Sequence, residues 1–126
     1  MYSLPEHAAS TAADRMRNAA GALRRGEWTT YGEISVVVFG HRGAARAVGG
    51  WLAREGSAQN AHRVLRQGGR VAPGWGGGGD GPERCRARLR AEGVEFAGEA
   101  ADPGHWVAWH VLQDRLSVRT RGHTPT

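Results

Sequence analysis

Arg46, Gly49, Gly50 and Ala53 fall at helical spacing within a stretch that also carries an apolar stripe. Two glycines inside a helix cost about 1 kcal/mol each relative to alanine. A face of this kind suits close approach, either of another helix or of something wide and flat with one guanidinium projecting onto it. All seventeen basic residues are arginine and none is lysine, against twelve acids. A GC-rich codon bias accounts for the missing lysine, but the physical result is a set of planar guanidinium groups that fork onto phosphates and stack on bases. Residues 24–71 hold eight of these arginines and three acids, a surplus of five that equals the net charge of the whole chain. A basic block of that kind points to a polyanionic partner.

Other chemistry is thinner. Cys85 is the single cysteine, so no intramolecular disulfide can form, which suits a reducing cytoplasm. It falls at the start of a predicted helix with no histidine next to it in the sequence. The loop over residues 72–81 is rich in glycine and holds Trp75, but it lacks the Gly-Lys-Ser/Thr ending of a phosphate loop. No run is apolar enough to predict a membrane span, and the first residues show no secretion signal. Neither a metal nor another cofactor is expected.

The elements that must position these residues are readable from spacing. A helix is predicted over 10–25, with Ser10 as N-cap and Gly26 as terminator. Thr30 followed by Glu33 forms a capping-box pattern, which predicts a second helix from Tyr31 to Gly40. The β-branched run Val36-Val37-Val38 leaves a strand as the rival there. A turn from His41 to Gly43 leads to the third helix, over 44–55, whose apolar stripe is Ala44, Ala45, Val48, Trp51 and Leu52. Helix, tight turn and helix make a helix-turn-helix. Residues 62–65 and 70–71 flank Gly68-Gly69 and read as a short basic hairpin, with Arg66, Gln67 and Arg70 as phosphate contacts. Pro82 opens a helix over 82–92. Beyond residue 96, Trp106, Trp109, Val111 and Leu112 fit either a helix or a strand, and the tail from Thr120 is expected to be loose.

Four stretches then resemble, in order, the C-terminal DNA-binding domain of the alkylguanine-DNA alkyltransferase family. They are residues 26–34 (GEWTTYGEI), 44–50 (AARAVGG), 61–64 (AHRV) and 92–94 (EGV). The resemblance implies a winged helix that binds the minor groove and flips an alkylated guanine into a pocket. It implies that Arg46 is a finger filling the space of the flipped base, flanked by Ala45, Ala47 and Gly49, which permit close approach. It implies that Tyr31 pushes on the phosphate beside the target, and that His62 and Glu92 form a hydrogen-bonded pair with Arg63 in support. Trp75 takes the place of a pocket-wall aromatic.

The family's nucleophile lies in Pro-Cys-His-Arg; here the stretch is Asn60-Ala61-His62-Arg63. A methyl group cannot attack an alkyl carbon. The resemblance is therefore to the alkyltransferase-like members, which bind the lesion without repairing it and mark it for nucleotide excision repair. The expected fold is mostly α with a small β-hairpin, a winged helix-turn-helix. Its domain covers residues 1–96, with residues 97–126 as a C-terminal extension. The expected function is a monomeric, cytoplasmic, non-catalytic sensor of O6-alkylated guanine in double-stranded DNA, with repair proteins as partners and no membrane. Its rivals are a winged-helix regulator without lesion specificity and an enzyme working through Cys85.

Overall fold

The computed structural model describes residues 4–54 and 59–122. Five helices account for most of it: α1 Leu4–Gly21, α2 Tyr31–Phe39, α3 Ala45–Arg54, α4 Gly81–Ala91 and α5 Trp109–Gly122. Four strands of two residues each complete it: β1 Thr29–Thr30, β2 Val64–Leu65, β3 Phe96–Ala97 and β4 Ala100–Ala101. Among the described helices none is long and apolar enough to cross a membrane.

The helix-turn-helix forms where its local signals place it. Thr30 has extended backbone and its hydroxyl accepts from the Glu33 N–H at 3.2 Å, which starts α2 at Tyr31. Gly40, at φ +85°, caps the other end with its N–H on the Val36 carbonyl. The valine run is thus helical, with Val38 buried beside Ile34. His41 then accepts from the Gly43 N–H at 3.0 Å and starts the single turn, residues 42–44, that feeds α3.

Val48 and Leu52 of α3 join Met16, Leu23, Ile34 and Val38 in a first core cluster, with Ala44, Ala45 and Trp51 packed on its edge. Each fully buried side chain of this size stabilises the fold by roughly 1.5–3 kcal/mol. Trp28, Ala61, Leu65, Trp75, Cys85 and Leu89 form a second cluster around α4.

Several expectations need correction. Ser10 lies inside α1, which ends at Gly21; Gly26 lies beyond it at φ +85°, where a Cβ would meet the Glu92 carbonyl oxygen at 3.2 Å. The hairpin around Gly68-Gly69 reduces to a single antiparallel bridge between Arg66 and Arg70. β2 pairs instead with β1, in parallel, Thr29 against Val64 and Thr30 against Leu65. The turn is buttressed from outside. Gly69, at φ +81°, accepts from the Ala101 N–H at 2.9 Å, and a Cβ on Gly69 would meet that nitrogen at 2.9 Å.

The stretch beyond residue 96 is structured through Gly122, so Thr120–Gly122 are helical where a loose tail was expected; residues 123–126 lie outside the described residues. β3 and β4 form an antiparallel pair, and residues 105–107 run beside Trp28. The Trp28 N–H donates to the His105 carbonyl at 3.0 Å and the Val107 N–H to the Trp28 carbonyl at 2.8 Å. Val107 and Leu112 enter the first core cluster. Arg115 of α5 clamps Glu27 through two hydrogen bonds of 2.7 and 2.9 Å. That arginine holds the Glu27 carboxyl below its ordinary range. Ala53's side chain and Glu55, at the end of the predicted third helix, lie outside the described residues.

Candidate nucleic-acid interface

A groove of about 970 Å³ lies along the helix-turn-helix. It gathers six of the eight residues expected on the DNA face: Tyr31, Ala45, Arg46, Gly49, Arg66 and Gln67. Tyr31 opens α2, and its ring lies flat enough on α3 that a Cβ on Gly49 would meet its Cδ2 at 3.1 Å. The glycine face of α3 is therefore used twice. Gly49 admits the Tyr31 ring, while Gly49 and Gly50 also line the groove. Tyr31 is 6% exposed and its hydroxyl has no hydrogen-bond partner, so an orphan donor lies in a groove-lining residue. Burial pushes the phenol's pKa upward, which keeps that proton in place.

Arg46 is exposed and, among the described residues, has no carboxylate or carbonyl partner; the Arg66 guanidinium is likewise exposed and unpaired. Arg42, missed in the sequence, is the third arginine in the groove. Its Nη2 donates to Glu33 Oε2 at 2.7 Å and its Nε to the same oxygen at 3.2 Å. Glu33 is buried, and its other oxygen accepts from the Trp109 N–H at 2.8 Å at the start of α5. The second half of the capping box is absent for that reason: the carboxylate turns to Arg42 and α5 rather than back to Thr30.

The two remaining DNA-face candidates do not line the groove. Ala47 is exposed on α3 beside it. Arg70 makes a loose ion pair with Glu99 at 3.6 Å, both side chains exposed. Trp28, Pro73, Pro103 and Trp106 also line the groove and were not expected there. Trp106 had no local signal. The position of Arg42 in the turn of the helix-turn-helix was the one available clue to it.

The four pocket candidates come together, but in the interior. Ala61 is 1% exposed and Trp75 is 4% exposed, and the indole Nε1 of Trp75 donates to the Ala61 carbonyl at 3.3 Å. His62 Nε2 meets Glu92 Oε2 at 2.8 Å. None of the four lines the groove; Trp75 is a core residue here, where a pocket wall was expected.

Arg63 grips Glu92 with both arms, Nε on Oε1 at 2.9 Å and Nη2 on Oε2 at 2.7 Å, and the Gly26 N–H adds a further bond at 2.9 Å. Burial is the largest influence on the Glu92 carboxyl and raises its pKa, but the donors from Arg63, Gly26 and His62 together hold it at about 2. Burial lowers the His62 pKa, against the pull of Glu92. A neutral His62 donating from Nε2 leaves Nδ1 as a bare acceptor, and that atom is buried without a partner. Asn60 holds the turn from the other side. Its Nδ2 donates to the Ala20 and Leu23 carbonyls, both at 2.9 Å, and its backbone sits at φ +65°. A proline, locked near φ −65°, could not adopt that conformation.

Cys85 is distant from Ala61 in sequence but adjacent in space. Its thiol donates to the His62 carbonyl at 3.4 Å. It is fully buried, and burial pushes its pKa up to about 12. A thiol in that state is no nucleophile at neutral pH.

Residues 12–94, about two thirds of the chain, match the protein family described as 6-O-methylguanine DNA methyltransferase, DNA binding domain. No curated protein matches the chain.

Proposed function

The chain belongs to the family of the 6-O-methylguanine DNA methyltransferase DNA-binding domain, and from that premise we propose that it is a non-catalytic sensor of O6-alkylated guanine in duplex DNA. DNA is its partner. The finer reading is that Arg46 enters the duplex, that Tyr31 presses on the phosphate beside the target, and that Arg66 and Gln67 hold the backbone. Minor-groove proteins commonly wedge a side chain between base steps in this way. The bound complex then marks the lesion for nucleotide excision repair.

One observation carries the non-catalytic part. Ala61 supplies no nucleophile, and the single thiol, Cys85, is buried and held protonated beside it. With no attack geometry to satisfy, discrimination rests on removing the alkyl group from water, about 0.8 kcal/mol per buried CH₂. Affinity should then rise, or at least not fall, from methyl to propyl lesions.

A second reading, a winged-helix DNA-binding protein without lesion specificity, is favoured by the closed packing of Ala61, His62 and Trp75. Fluorescence titration with matched duplexes, plain and O6-alkylated, separates the two. Tighter binding to the alkylated duplex, with unmodified protein by intact mass, supports the sensor. Equal affinity favours the second reading, and an adduct on Cys85 overturns the non-catalytic account.

A further inference from the structure

Trp106 lies outside the matched residues 12–94 and lines the same groove as Arg46 and Arg66. It is 43% exposed, one of three large apolar residues among the described residues that lie mainly at the surface, with Phe39 and Val118. Its backbone is pinned. The Trp106 N–H donates to the Pro103 carbonyl at 3.1 Å, and its neighbours His105 and Val107 are both bonded to Trp28. Thr29 Oγ1 adds a bond to the Val107 carbonyl at 2.6 Å. An indole fixed in this way stays half in water although core space is available to other tryptophans of the chain, such as Trp28 at 3% exposure.

We propose that Trp106 is a DNA-contacting residue, supplied by the C-terminal segment, whose indole packs on the flat apolar face of a nucleotide held in the groove. The proposal rests on the DNA-binding reading above. Charge selects the occupant: the groove carries the guanidinium groups of Arg42, Arg46 and Arg66, and its one acid, Glu33, is already engaged by Arg42 and α5. A ligand that satisfies those cations and also offers a flat apolar surface is a nucleic acid. Aromatic stacking on a base is sequence-tolerant, because every base has a π-face.

The test compares wild type, Trp106→Ala and Trp106→Phe on a fluorescein-labelled duplex by anisotropy across a salt series. Trp106→Ala should weaken binding at least about fivefold with an unchanged salt slope, because no charge is lost. Trp106→Phe should keep most of the affinity. A second measurement is independent of the alanine variant's folding. In protein labelled with 5-fluorotryptophan, the ¹⁹F resonance that disappears in Trp106→Phe should shift on DNA addition. Wild-type binding matched by Trp106→Ala, or an unmoved Trp106 resonance, overturns the proposal while leaving the DNA-binding reading intact. Absence of duplex binding by the wild type overturns both.

Discussion

Arg63 and Arg46 are the same residue type in two regions of opposite character. Arg63 is 12% exposed in its side chain and forks onto a carboxylate that three different groups hold. Arg46 projects from α3 with no protein partner among the described residues. The first arginine is committed to the fold, with four hydrogen bonds to Glu92, Asn60 and the Leu23 carbonyl. The second has its full set of donors available. Arg42 lies between them: its guanidinium is exposed, but Glu33 holds it on the groove. The contrast teaches that basic composition does not locate a polyanion site; a groove that gathers arginines with donors to spare does. α4 shows both halves of this: Arg84 pairs with Asp80, and Arg86 and Arg90 with Glu83, while Arg88 is exposed without a carboxylate partner among the described residues but lies outside the groove.

The comparison breaks first at Glu92. Glu92→Gln leaves the largely covered Arg63 without its counter-charge, a change that costs up to about 3–5 kcal/mol. Chemical denaturation should show that loss, while DNA affinity of the folded fraction is unchanged. A drop in affinity with intact stability would place the network in the interface instead.

Acid provides the next test. The Glu92 carboxyl sits at about 2 in the fold against an ordinary 4.5. Its contribution is therefore complete above pH 4.5 and lost as pH falls toward 2, about 3 kcal/mol in all. His62 acts in the same direction at higher pH. Its pKa is lowered from 6.5, so below that value the unfolded chain takes a proton the native state resists, and stability declines. Urea midpoints at pH 7, 5 and 3 should fall in that order, and Glu92→Gln should flatten the step between 5 and 3.

How much of this was legible beforehand follows from how local each signal is. Thr30, Gly40 and the apolar stripe of α3 act within a few residues, and the helix-turn-helix formed where they placed it. The destination of Glu33 was illegible because Trp109 lies seventy-six residues away. The hairpin was over-read for the same reason. Gly68-Gly69 does turn the chain, but the partner of β2 is β1, thirty-five residues upstream, and nothing near Val64 says so. Trp75 is a case of right neighbours and wrong surroundings: it does meet Ala61, but inside the core. Trp106 reads only as one apolar residue among several until the strand-like path of residues 105–107 fixes it in the groove.

Arg46→Ala should leave stability within about 0.5 kcal/mol, as expected of an exposed side chain. Binding to alkylated duplex should weaken by about 2 kcal/mol, roughly thirtyfold, because a finger offsets the few kcal/mol that unstacking a base requires. Equal loss on plain and alkylated DNA, with a salt slope lower by about one, would mark it as an ordinary phosphate contact. Arg66→Ala should behave in that ordinary way, with a loss of about 1 kcal/mol on either duplex. Arg70→Ala, already paired with Glu99 and outside the groove, should change binding least.

The central claim is that DNA lies in the groove, on Arg46 and Arg66 with Arg42 beside them, and not on the arginines of α4. Amide chemical-shift mapping of ¹⁵N-labelled protein titrated with a short duplex tests it most directly. The account predicts that the largest shifts fall on residues 30–32, 42–50 and 66–68, with Arg84–Arg90 of α4 little moved. Shifts centred on α4, with the groove residues unchanged, would contradict it.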